Sequence, residues 1–291
     1  MKMDYAKQIQ RGIDYIEANL DFDIELAKVS KLAGISHWHF QRIFKAVTGE
    51  TLKTYVRSRR LANSLDALLT TDAGILEISI RAGFESQEAF TRAFKRAFDL
   101  TPNAYRKLGD KSLFLKKVQF DTAYLRHINA NVSLQPEIET QPPMTLVGLA
   151  TQFYSVDSEK NNIGDQLPQL WERFVPRLGE IADTVPGVCY GLVQQVREDS
   201  ALLQYHAAIE VTRVGELPAD MVSVEVPGAT YARFCHGGPA KSIDRTVNYI
   251  YSTWLAQSGR RHTYAADLEI YGRAFHPTAE DSVMYYAIPI Y

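Results

Sequence analysis

The stretch LAKVSKLAGISHWHFQRIFKAVTG, residues 26–49, decides how the first third of the chain is read. Leu26, Val29, Leu32 and Ala33 keep the three- and four-residue spacing of one helical face, and Gly34 can end that helix in a left-handed conformation. Ser36 is placed to cap a second helix running to Thr48, with Phe40, Ile43, Phe44 and Val47 as its buried stripe. Two helices joined by so tight a turn form a helix-turn-helix unit. The remaining side of the second helix is expected to face outward, and it carries His37, Trp38, Gln41, Arg42 and Lys45. Donors and cations of this kind suit the edge pattern of a DNA groove.

Upstream, Ile9, Ile13, Ile16 and Leu20 predict an amphipathic helix from Tyr5 to Leu20; downstream, Leu61, Leu65 and Leu68 mark a connecting helix from Leu52 to Leu69. The pattern then returns. In ILEISIRAGFESQEAFTRAFKRAFDLTPNAYRK, residues 75–107, Ile75, Ile78 and Ile80 precede Gly83 and Phe84, and Ser86 caps a helix with Phe90, Ala93, Phe94 and Ala97 inward. Gln87, Glu88, Thr91, Arg92 and Lys95 are left outside, so Arg42 and Arg92 are equivalent. Two such helices in successive major grooves would lie about 34 Å apart, and one chain could read a bipartite site. Arg57, Arg59 and Arg60 of the connecting helix, and His39, read equally as phosphate contacts or solvated surface.

With 291 residues the chain has room for two domains. Its 46% hydrophobic and 23% charged residues are globular proportions that exclude a mainly disordered chain. No apolar run approaches the roughly 18 residues of a membrane span, and the interrupted start MKMDYAKQIQ is unlike a signal peptide, so a cytoplasmic protein without membrane association is expected. Cys189 and Cys235 are read as buried free thiols, and the seven histidines form no metal-ligand spacing, so neither a metal nor a cofactor is expected. The net charge of −2 speaks against indiscriminate coating of nucleic acid. It divides unevenly: residues 1–127 hold 21 Lys and Arg against 15 Asp and Glu, and residues 128–291 hold 11 against 19. A basic half that approaches phosphate beside an acidic half with another task fits this split.

Both turns, both arginine-bearing helices, the Phe-Lys pairs at 44–45 and 94–95, and the closing Pro102 and Tyr105 make residues 5–108 resemble the paired helix-turn-helix units of AraC/XylS-type transcription regulators. The phrases WHFQRIFK and GFESQEAFTRAFK are most similar to the MarA/SoxS/Rob branch. The resemblance implies that Trp38, Gln41 and Arg42, with Lys45 beside them, serve one half-site, and Gln87, Glu88, Thr91 and Arg92 the other. It also implies double-stranded DNA and RNA polymerase as partners, in a regulator that mostly activates. Glu88 departs from the glutamine usual in that branch; a carboxylate accepts from cytosine but is repelled by phosphate.

An all-α domain is thus expected over 1–110, a connector with strand potential in VQFDTAYLRHI over 111–135, and an α+β domain over 136–291. In the last, MTLVGLATQFYS reads as a strand, QLPQLWERFVPRLGEI as a helix, and GVCYGLVQQ and LLQYHAAIEVT as strands. The order then restarts with ATYARFCHGG, the helix SIDRTVNYIYSTWLAQSG, and the strands DLEIYGRAF and SVMYYAIPIY. A βαββ module used twice predicts a pseudo-twofold pair with a cleft between its halves.

This order, with LWERF, VPGATYARFCHGG, STWL and DLEIYGRAF, resembles the GyrI-like effector-binding domain. The resemblance implies an aromatic-lined cleft into which Glu269 projects, and strand alternation puts Glu269 and Tyr271 on one face. An acid among aromatic rings could attract a lipophilic cation or another aromatic amphiphile. Trp171, Tyr190, Tyr205, Tyr271 and Phe275 are the wall candidates. Two other readings of this half stay open: a surface for a protein partner, and a small-molecule hydrolase fused to a DNA-binding domain. Against the latter, there is no GxSxG elbow, and Cys235 and His236 fall on opposite faces of a strand, so no catalytic residue is assigned.

Overall fold

A computed structural model describes residues 5–109, 135–158, 160–197 and 200–291; the strand potential read in residues 118–128 lies outside them. The N-terminal part is helical: α1 (Tyr5–Ala18), α2 (Leu26–Ala33), α3 (His37–Thr48), α4 (Leu52–Thr70), α5 (Ile75–Arg81), α6 (Gln87–Phe98) and α7 (Pro102–Leu108). Helices α3 and α6 start alike. Ser36 and Ser86 each accept from the backbone N–H three residues on, and Thr101 caps α7, which has Pro102 in its first turn. Gly34 ends α2 at φ +72°, the left-handed geometry that a Cβ resists.

The C-terminal part is built on one antiparallel sheet of eight strands curled into a half-barrel: β1 (Glu137–Gln141), β2 (Met144–Tyr154), β3 (Thr184–Gln195), β4 (Leu202–Val211), β5 (Val222–Val226), β6 (Ala229–Gly237), β7 (Asp267–Tyr271) and β8 (Val283–Ile290). Helix α8 (Ile163–Phe174) precedes β3 and passes at Pro176 into a 3-10 turn. Helix α9 (Ile243–Tyr249) continues through a π-helical stretch, Ile250–Trp254, into α10 (Leu255–Ser258). The strand order β1-β6-β8-β7-β3-β4-β2-β5 displays the duplication: β7-β8-β6 repeats β3-β4-β2 about the β3–β7 seam. Two edge strands escape the sequence reading, β1 and β5, because EIETQ and VSVEV are short and largely exposed. Each lies on the half opposite to the one it leads into: β1 pairs β6, and β5 pairs β2.

One face of the sheet packs Leu146, Tyr190, Leu192, Ala208, Tyr231, Leu268 and Ala287 together. On the other face the two parts of the chain meet. Ile9, Ile13, Phe40, Phe44 and Tyr55 share one core with Phe234, Ile250, Tyr251, Tyr286 and Ile288, and Trp38 joins the core of Val193, Tyr205, Leu170 and Phe174. The second helix-turn-helix keeps a separate core of Leu61, Leu65, Leu68, Ile78, Phe90, Phe94 and Tyr105. On the connecting helix Arg57 is exposed, whereas the other two arginines are engaged within the chain. Arg59 pairs with Glu17 at 2.8 Å, and Arg60 donates to the carbonyls of Leu20 and Phe22, holding the chain that follows α1.

Candidate functional site

The register sets Gly191 opposite Glu269 at the β3–β7 seam, and Glu269 opposite Tyr286 in the β7–β8 pair. The phenol of Tyr205 donates to Glu269 Oε2 at 2.5 Å and that of Tyr271 at 2.7 Å, while Trp171 Nε1 donates to the Tyr205 oxygen at 3.0 Å. Trp171 and Tyr271 meet edge to face at 4.9 Å between ring centroids, and Tyr271 and Phe275 at 4.5 Å. Four of the five wall residues read from the sequence therefore gather at Glu269. Tyr190 does not. Paired with Ile270, it points through the opposite face into the core of Leu268 and Ala287, a consequence of the one-residue offset from Gly191. Gly191 is required here: a Cβ would come within 2.1 Å of the Tyr205 oxygen and 2.6 Å of Glu269 Oε2.

Burial pushes the Glu269 carboxyl above the usual carboxylate range, against the pull of the two phenols. A raised value means that the folded chain holds this proton at a pH where the unfolded chain has released it. Ionisation of Glu269 therefore costs stability as pH rises from the unfolded value, roughly 4.3, through the folded one. Glu269→Gln is expected to gain stability relative to the parent over that rise, with no gain at pH 3.5. A pH-independent difference in urea midpoint would refute the shift.

Asp267 lies two residues before Glu269 on the same face, fully buried, and was not singled out by the sequence reading. The i, i+2 alternation of DLEIY is the signal that could have found it. Its Oδ2 accepts from Arg42 at 3.0 Å and from the phenols of Tyr251 and Tyr286, both at 2.7 Å, and its Oδ1 meets His262 Nε2 at 2.8 Å. Burial alone would raise this carboxyl, but the His262 hydrogen bond and the Arg42 charge outweigh it and hold Asp267 below its ordinary value.

Arg42 belongs to α3, and its position corrects the expectation of an outward-facing reading surface. His37, Trp38, Gln41 and Arg42 are all buried, and Lys45 is half-buried, its ammonium bonded to the Val156 carbonyl. The Arg42 guanidinium also accepts no solvent role: it donates to the Tyr286 oxygen at 2.9 Å, faces Asp157 at 3.6 Å, and lies over the rings of Trp38 at 4.7 Å and Tyr251 at 4.8 Å. A donor-rich helix face has a second acceptor available in the buried acids of the same chain. Among the described residues, three buried atoms on this face, Trp38 Nε1, His39 Nε2 and Arg42 Nε, have no hydrogen-bond partner, although Arg42 Nε keeps the 3.6 Å ion pair with Asp157. Each such atom typically costs about 1–3 kcal/mol.

The face of α6 expected to be the second reading surface stands open. Gln87, Glu88, Arg92 and Lys95 of α6 are exposed and Thr91 is half-exposed. Backbone and Ser86 hydrogen bonds at the start of α6, helped by Arg92, hold Glu88 below its usual carboxylate value, so it presents a charged acceptor. In the C-terminal part, His236 is buried against Thr246 whereas Cys235 is exposed, so the two do not form a nucleophile–base pair. The exposure of Cys235 corrects its reading as a buried thiol; Cys189 is half-buried, and both are free.

Residues 134–290 match the family model of a GyrI-like small molecule binding domain, and residues 29–108 that of a helix-turn-helix domain. The right origin-binding protein of Escherichia coli (strain K12) is 31% identical over 290 residues, spanning 96% of this chain and 95% of its own. The multiple antibiotic resistance protein MarA of Salmonella typhimurium is 45% identical over 101 residues, 35% of this chain and 80% of its own. Among solved structures, SAV2435 bound to tetraphenylphosphonium covers 55% of this chain and 94% of its own at a TM-score of 0.42 and 16% identity.

Proposed function

The chain belongs to the AraC-type helix-turn-helix regulators that carry a C-terminal GyrI-like small-molecule binding domain, and on that premise we propose that it is a two-headed DNA reader controlled by an organic cation. It is a DNA-binding transcription regulator. In our reading its domains span residues 1–110 and 136–291, α3 and α6 serve the two halves of a bipartite promoter site, and the bound regulator activates by contact with RNA polymerase. The observation that carries the effector class is the pair of buried carboxylates, Asp267 and Glu269, on one face of β7 among Trp171, Tyr205, Tyr251, Tyr271 and Tyr286. Buried acids under ring faces attract a cation that sheds its water easily, each ring contributing about 0.5–2 kcal/mol once desolvated.

The test uses the full chain and tetraphenylphosphonium. At 100 times its dissociation constant the cation is expected to stabilise the chain by about 2.7 kcal/mol, read as a shift in thermal midpoint. Glu269→Gln should remove most of the shift; an equal shift in parent and variant would take Glu269 out of the site. For the DNA reading, Arg92→Ala should cost about 1–3 kcal/mol on a duplex selected by the full chain from a random pool. An equal loss on unrelated duplex would make Arg92 a phosphate contact.

A further inference from the structure

We propose that α3 is an internal occupant of the effector cleft, so that the first DNA-reading helix and a cationic effector compete for Asp267 and Glu269, and effector binding releases α3 to DNA. The inference rests on the reading of that cleft as a cation site and of α3 as a DNA reader, and adds the coupling between them.

Three observations carry it. The Arg42 guanidinium already occupies what a planar organic cation would seek: a carboxylate at 3.0 Å, a phenol oxygen at 2.9 Å and the rings of Tyr251 and Tyr286 within 4.8 and 5.8 Å. Arg42 and Arg92 occupy equivalent positions in duplicated units, yet Arg42 is buried and Arg92 exposed, so the difference arises from docking rather than from the motif. Among the described residues the docked face leaves Trp38 Nε1 and His39 Nε2 without a hydrogen-bond partner and Arg42 Nε with the 3.6 Å approach of Asp157, whereas the two acids keep partners of their own. Without Arg42, Asp267 still meets His262, Tyr251 and Tyr286, and Glu269 still meets Tyr205 and Tyr271. A built acidic site with a replaceable occupant has two states, and a ligand that binds only one of them shifts the population toward it. DNA that grips α3 acts on the same equilibrium, so cation and DNA must strengthen each other by equal factors.

The experiment loosens the dock from the C-terminal side, in the full chain, with Asp157→Asn and Tyr286→Phe singly and together. Asp157 faces Arg42 Nε, and the Tyr286 oxygen accepts from Arg42 Nη1. Amide exchange over residues 37–48 is expected to quicken in the double variant while residues 87–98 stay unchanged. Cation-free affinity for the selected duplex should rise about tenfold or more, since apparent affinity scales with the fraction of open chains. Arg42→Ala in that background should abolish the gain. In the parent, tetraphenylphosphonium should tighten DNA binding, and the duplex should tighten tetraphenylphosphonium equally.

Unchanged exchange over residues 37–48 overturns the dock; faster exchange with unmoved DNA affinity overturns its control of DNA reading. A cation that binds the parent but loosens DNA binding overturns the competition. Failure of tetraphenylphosphonium to bind even the loosened variant tells against the effector reading, and the cation-free gain in DNA affinity then still decides whether α3 is held back.

Discussion

Asp267→Ala is expected to destabilise the full chain by about 3–5 kcal/mol in urea unfolding, the largest single effect predicted for the C-terminal part. The side chain is fully buried and receives four donors, from Arg42, His262, Tyr251 and Tyr286. Truncation leaves the Arg42 guanidinium with the more distant Asp157, at 3.6 Å, beside two phenols and an imidazole that have lost their acceptor. Asp267→Asn keeps one carbonyl oxygen and should lose less. The pH dependence follows from the lowered carboxyl value: its stabilisation is present above the unfolded value, roughly 3.9, and fades as pH falls through the folded one. Parent and Asp267→Ala should therefore converge at acid pH. A neutral-pH loss below about 1 kcal/mol would show that water or a side-chain shift satisfies these donors, and the site would then be softer than its geometry implies.

Phe94→Ala is expected to cost a similar 3–5 kcal/mol, but confined to the second helix-turn-helix. Phe94 is fully buried and touches Phe90, Phe98 and Tyr105 at centroid distances of 5.7, 4.7 and 5.9 Å. Its core draws on α4 to α7 and is separate from the core shared by α1 to α4 with the C-terminal part. Amide exchange should accelerate across residues 75–108 and remain slow at Ile9, Ile13 and Phe44. Equal acceleration in both regions would show that the two cores unfold as one unit.

Local structure in this chain was legible because its cues are local. Ser36 and Ser86 cap, Gly34 terminates, and aromatic residues three and four apart bury one face, so α2, α3 and α6 appear within a residue or two of their expected limits. Period-two alternation likewise placed Glu269 with Tyr271, and the order of elements disclosed the repeated βαββ module. The short strands β1 and β5 were missed because a five-residue edge strand with exposed polar positions has no apolar period to detect. Tyr190 was misplaced because composition alone does not say on which side of the seam a tyrosine falls.

What the sequence determined by itself is the set of parts: two helix-turn-helix units with matched arginines, and a duplicated sheet with an acid among aromatic residues. Only the tertiary structure decided how those parts are used against each other. Arg42 and Arg92 have the same local context, yet one is buried against Asp267 and the other faces solvent. The distinction depends on residues 225 positions apart in the chain. A cation on a helix face has one sequence signature whether its partner is a base edge, a phosphate or a distant carboxylate. The partner is chosen by which acceptor the fold brings within about 3 Å and removes from water.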